Sequence, residues 1–157
     1  DPSEVIKATL ASTEVQVMQK PGLTLRDQCE DNLPSLIMDP DHLAQIVVNL
    51  LSNAVKFTDQ GHVSLHAAAT DDGYLRIQIS DTGPGIPAHE QKRIFERFYQ
   101  ANREGDNLHK PKGTGLGLTI CQLIIEHNQG SIRVESEPGK GATFIVDLPL
   151  PSGKPVS

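Results

Sequence analysis

Three groups of residues in this chain have the types and spacing to do chemistry. Asp81 opens the run "DTGPGI" and follows an alternation in which Leu75, Ile77 and Ile79 are apolar while Arg76, Gln78 and Ser80 are polar. Continuing that parity aims the Asp81 carboxylate at the apolar side, where a charge without a partner is costly. Gly83 and Gly85 strip away side-chain bulk beside it. The partner expected for this carboxylate is therefore a group from outside the protein; the plainer alternative is an N-cap for the following turn.

In "NLLSNAVKFT", Asn49, Asn53 and Lys56 stand at i, i+4 and i+7 and share one helical face. A neutral amide oxygen suits a hard cation whose negative charge comes from phosphate oxygens, and Lys56 can offset phosphate charge. A solvated flank of an amphipathic helix accounts for the same three residues. The third group is "GTGLGL", residues 113–118, where glycine-freed N–H groups at a helix start make an anion site. A lid hinge explains those glycines nearly as well. A dinucleotide site needs a strand before the glycines, and "NLHKPK" is no strand.

Other chemistries find little support. The chain has no G-x-x-x-x-G-K-[ST], no G-x-S-x-G and no H-E-x-x-H. His42, His62, His66, His89, His109 and His127 are scattered without ligand spacing. Cys29 and Cys121 form no metal or disulfide framework, and Cys121 in "LTICQLII" reads as a buried reduced thiol. A reducing, cytoplasmic setting is the default expectation.

The elements that must carry these groups follow from periodicity and punctuation. Residues 3–20 predict a helix ended by Pro21 and Gly22, and "LTLRDQCE" a short strand. Asp39 and Pro40 are a capping carboxylate and a first-turn proline. They open a helix whose stripe is Leu43, Ile46, Val47, Leu50, Leu51 and Ala54. Residues 62–69 and 74–80 predict strands around "DDG". A short helix is expected over 88–95, and the stretch "ANREGDNLHKPK" is expected to be a mobile loop that orders over bound triphosphate. A helix then runs from the glycines to Gly130, and "SIRVES" and "ATFIVDLPL" form a last pair of strands. This mixed order of helices and mostly antiparallel strands predicts an α+β fold, a two-layer α/β sandwich.

At 157 residues, with 37% hydrophobic and 22% charged residues, the chain suits one compact domain. Its net charge of -6 argues against a nucleic-acid binder. No apolar run reaches the length of a membrane span, and "DPSEVIKATL" lacks a signal peptide's layout. Residues 1–150 are expected to be the domain and 151–157 a tail or linker, so that the whole reads as a piece excised from something longer.

Taken in order, "NLLSNAVKFT", "DTGPGI", "FERF", "GTGLGL" and "GKGATF" resemble the catalytic ATP-binding domain of sensor histidine protein kinases, in the GHKL group with its Bergerat fold. The resemblance runs from about Asp39 to Pro149. It implies a mixed, mostly antiparallel sheet packed on helices, with ATP and Mg²⁺ as cofactors. It implies that Asp81 accepts a hydrogen bond from the adenine amino group, with Gly83, Gly85 and Ile86 lining the base. Asn53 is implied as the Mg²⁺ ligand. Lys56 is implied as a phosphate contact and Phe57 as an apolar wall. Asn49 holds the place where ATP-hydrolysing relatives carry a water-activating glutamate, and an amide is a poor base.

Phe95 and Phe98 resemble the box that anchors the lid. Tyr99 and Gln100 stand where many relatives have "YR", so charge compensation is expected from Arg97, Arg103, Lys110 or Lys112. Gly113, Thr114, Gly115, Leu116, Gly117 and Leu118 are implied to close over the phosphates. Thr143 is expected near adenine. The implied reaction transfers the γ-phosphoryl group to a histidine on a separate helical dimerisation domain, for relay to a response-regulator receiver. No H-E-[LI]-R-T-P-L stretch exists in this chain, so it is expected to bind nucleotide without phosphorylating itself, and to be monomeric. A GHKL-type ATPase and a transfer-inactive regulatory module are the alternatives.

Overall fold

The computed structural model describes residues 1–91, 94 and 117–151. Its elements in chain order are α1 (Pro2–Val17), β1 (Leu23–Asp27), α2 (Pro40–Phe57), β2 (Gly61–Ala69) and β3 (Tyr74–Asp81). They continue with α3 (Ala88–Gln91), α4 (Gly117–His127), β4 (Ser131–Ser136) and β5 (Ala142–Pro149). The five strands form one sheet in the order β1-β2-β3-β5-β4. β1 runs parallel to β2 and the other pairings are antiparallel. This is the two-layer α+β sandwich with a mixed sheet.

Period-2 burial sets the layers. Val63, Leu65 and Ala67 of β2, Leu75, Ile77 and Ile79 of β3, and Phe144, Val146 and Leu148 of β5 are all buried on one face. α2 lays its stripe there, with Leu43, Ile46, Val47, Leu50, Leu51, Ala54 and Val55 out of solvent. The helix starts as its sequence requires. Asp39 accepts a hydrogen bond from the Asp41 N–H at 2.8 Å, and Pro40 occupies the first turn.

One expected helix ends early, and another is described only in part. α1 stops at Val17 rather than residue 20, because Met18 to Lys20 enter tight turns and the Lys20 carbonyl accepts from the Leu23 N–H at 3.0 Å. α3 is described over Ala88–Gln91; of the rest of its expected span, 92–95, only Ile94 lies within the described residues, and its N–H donates to the Glu90 carbonyl at 3.1 Å.

The opposite sheet face is polar but not uniformly so. Arg76 grips Asp147 with two hydrogen bonds of 2.8 and 2.9 Å, and Ile145 is buried on that face between Gln78 and Arg133 in the register. Among the described residues no helix is long and apolar enough to cross a membrane.

Candidate functional site

Asp81 ends β3 with its side chain on the buried face, 6% exposed. Its Oδ1 accepts from the Gly83 N–H at 2.9 Å. The turn-capping role and the inward carboxylate thus coexist. The turn lies against the end of α2: a Cβ on Gly83 would stand 2.9 Å from the Phe57 carbonyl oxygen and 3.1 Å from both Asp81 Oδ1 and Thr58 Oγ1. Glycine is needed here for space.

On its other side the turn is stitched to the β4–β5 hairpin. The Ile86 N–H donates to Ser136 Oγ at 2.7 Å, and that hydroxyl donates to the Gly141 carbonyl at 2.7 Å. Gln91 Nε2 donates to the carbonyls of Ile86 at 2.9 Å and Ser136 at 3.0 Å, and the Gly139 N–H to that of Pro84 at 2.7 Å. Gly141, at φ +84, lies so close that any Cβ would collide with the Asp81 carbonyl. Ser136 and Gln91 were not singled out by their types. Each is an ordinary polar residue whose role exists only once the hairpin has docked.

Asn49, Asn53 and Lys56 all lie on α2. Asn49 Nδ2 donates to the Gly117 carbonyl at 3.4 Å, tying α2 to the start of α4. Asn53 and Lys56 are half-buried, and Lys56 Nζ sits 5.4 Å from the centroid of the Phe57 ring. Lys20, from the turn after α1, donates to the carbonyls of Val55 at 2.6 Å and of Lys56 and Thr58 at 3.2 Å. It caps the C-terminus of the helix that carries the trio. Gly117 and Leu118 open α4. Tyr99, Gln100, Lys112, Gly113, Thr114, Gly115 and Leu116, and the lid residues Phe95 and Phe98, lie outside the described residues.

Thr143, expected near adenine, stands in β5. It pairs with Ser80, not Asp81, and the two hydroxyls are hydrogen-bonded at 2.9 Å on the face away from the helices. The residue across from Asp81 is Ala142, which brings no hydroxyl. Successive strand residues face opposite sides, so Ala142 and Thr143 point to opposite faces of the sheet.

Among the described residues no group of three His, Cys, Asp or Glu is arranged to hold a metal ion. The one amide offered by Asn53 fits a Mg²⁺ that arrives with a polyphosphate and keeps most of its ligands from it. A separate cavity of about 690 Å³ lies between α1 and the segment after β1, but Asp1, Asp27, Glu30 and Asp31 line it. Such a wall repels polyphosphate. There Cys29 is pushed up to about 12 by burial and by its bond to Asp27, while burial pushes the Cys121 thiol up to about 11. Neither is a nucleophile.

Residues 38–152 match the family described as histidine kinase-, DNA gyrase B- and HSP90-like ATPases. The chain belongs to that family. Within it, the chain is 44% identical over 151 residues to the sensor histidine kinase RcsC of Escherichia coli, covering 95% of this chain and 15% of RcsC. Full-length ShkA in complex with AMPPNP superposes with a TM-score of 0.83 at 33% identity, covering 95% of this chain and 30% of that one. The mycobacterial sensor histidine kinase MprB gives 0.79 at 28% identity, covering 98% of this chain and 97% of that one. This member is therefore an ATPase-type catalytic domain of the sensor histidine kinases, spanning a small part of the curated relatives it matches.

Proposed function

We propose that this chain binds Mg²⁺-ATP and presents its γ-phosphoryl group to a histidine on a separate helical dimerisation domain, for relay to an aspartate of a response-regulator receiver. The observation that carries the reading is the buried Asp81 carboxylate beside a glycine-cleared nook, at the end of the helix bearing Asn49, Asn53 and Lys56. Asp81 accepts from the purine amino group; a 6-oxo purine would set two acceptors face to face. Gly83, Gly85 and Ile86 border the base, and Phe57 walls it. Asn53 shares Mg²⁺ with phosphate oxygens and Lys56 offsets their charge. Tyr99, Gln100, Lys112 and the segment 113–118 complete the phosphate side.

In the transfer, an imidazole nitrogen bonds to the γ-phosphorus as the bond to the β,γ-bridging oxygen breaks, and ADP leaves. The protein's part is to position and neutralise. Asn49 activates no water, in keeping with an amide that donates to the Gly117 carbonyl. Residues 1–150 form the catalytic domain and 151–157 a tail or linker. The isolated chain is a cytoplasmic-type monomer that binds no nucleic acid and does not phosphorylate itself.

Calorimetric titration of Asp81→Asn with Mg²⁺-ADP tests the reading. We expect affinity to fall at least about tenfold with an unchanged circular dichroism spectrum. Undiminished binding by a folded variant overturns it.

A further inference from the structure

β4 (Ser131–Ser136) closes one side of the sheet and pairs with β5 alone. Among the described residues the backbone of 131–135 makes no hydrogen bond beyond that pairing; the Ser136 carbonyl accepts from Gln91. An open row of N–H and C=O groups is a template for another strand. The side chains of β4 say which strand fits.

Ile132 and Val134 pack against the core from the helix side, while Arg133 and Glu135 are exposed on the opposite face. Among the described residues Glu135 makes no ion pair. Arg133 reaches Asp147 only at 3.9 Å, on a carboxylate already held by two Arg76 hydrogen bonds. A second β4 laid antiparallel about Val134 sets Arg133 of each copy against Glu135 of the other. On the helix side Val134 then meets its own counterpart. Two opposite-charge pairs and one apolar pair thus come from a single short strand. Sliding by two residues, the least that keeps each face, puts Arg133 or Glu135 against its own copy. The other edge lacks this property. In β1 the two charges, Arg26 and Asp27, are successive residues on opposite faces, so no register that keeps the faces opposes them.

We propose that β4 is a pairing surface for a second copy of this chain: two β4 strands join antiparallel about Val134, and the two sheets become continuous. The setting rests on the reading above, in which a separate dimerisation domain brings two copies together. Such a tether supplies an effective concentration of about a millimolar. A contact this small does not hold two freed chains at ordinary concentration, so the isolated chain is a monomer there.

Sedimentation equilibrium of this chain, Arg133→Glu, Glu135→Arg and the double reversal tests the pairing. Wild type should self-associate with a dissociation constant of about 0.1–1 mM. Each single reversal puts like charges opposite each other and should weaken association at least about fivefold. An equimolar mixture of the two single variants should associate as well as wild type, and the double reversal should recover it. Both positions are exposed, so circular dichroism should be unchanged. Amide exchange in 131–136, and not in 23–27, should slow as concentration rises.

No association of wild type up to about 1 mM overturns the proposal. Association that ignores the single reversals, or a mixture that fails to recover it, overturns it as well. ADP titration of the same preparation keeps the two readings apart: a chain that binds ADP but does not pair loses only the β4 surface, and one that pairs without binding ADP keeps it.

Discussion

Lys20 Nζ stands 2.6 Å from the Val55 carbonyl oxygen, closing the last turn of α2 from a residue that follows α1. The ammonium satisfies carbonyls that a helix end otherwise leaves to solvent. It also holds the backbone from which Lys56, Phe57 and Thr58 project. The N-terminal helix is thereby tied to the candidate site.

Lys20→Met should therefore lower stability by about 1.5–3 kcal/mol, the range for hydrogen bonds to a charged donor. Nucleotide affinity should fall with it, as the end of α2 frays. Thermal melting and ADP titration of the same preparation check both; a variant that binds and melts like wild type would show that this cap is idle.

Gly141 and Gly139 both sit near φ +80°, yet a Cβ on Gly139 would meet nothing within 4 Å while one on Gly141 would strike the Asp81 carbonyl. Gly139→Ala should cost only the left-handed backbone strain, about 1–2 kcal/mol. Gly141→Ala should cost clearly more and weaken nucleotide binding by shifting the end of β3. Equal melting temperatures for the two variants would contradict the packing described.

Thr143→Val removes a hydroxyl bonded to Ser80 on the far face of the sheet. It should cost about 1 kcal/mol in stability and leave ADP affinity unchanged. A drop in affinity without loss of stability would put Thr143 back beside the base.

The two thiols make stability pH-dependent at the alkaline end. Each is held above its ordinary value of 9.0, at about 12 for Cys29 and about 11 for Cys121. Above pH 9 the unfolded chain loses these protons while the folded chain keeps them, so this contribution is fully present below 9. It declines as pH rises toward 11 and 12. Denaturant midpoints measured from pH 8 to 11 should fall, and a Cys29→Ser, Cys121→Ala variant should fall less steeply.

Much of the fold was legible because its signals are local. Asp39 and Pro40 start α2, and the stripe from Leu43 to Ala54 is the face it buries. The alternation from Leu75 to Ile79 put Asp81 inside, and it is inside. β5 was harder. Phe144, Ile145 and Val146 are consecutive apolar residues, since Ile145 is buried on the outer face, and that run hides the parity that turns Thr143 outward.

By itself, then, the sequence determined the start of α2, the parity of β3, the inward acid and the order of motifs that identifies the family. These depend on backbone period and capping chemistry within a few residues. Only the tertiary structure decided that Lys20 caps α2, that Ser136 and Gln91 stitch the Asp81 turn to the hairpin, and that β4 lies at the edge of the sheet. Those partners lie tens of residues apart, and no periodicity links them. They meet because the sheet order places β3 beside β5 and the end of α2 against the turn that follows.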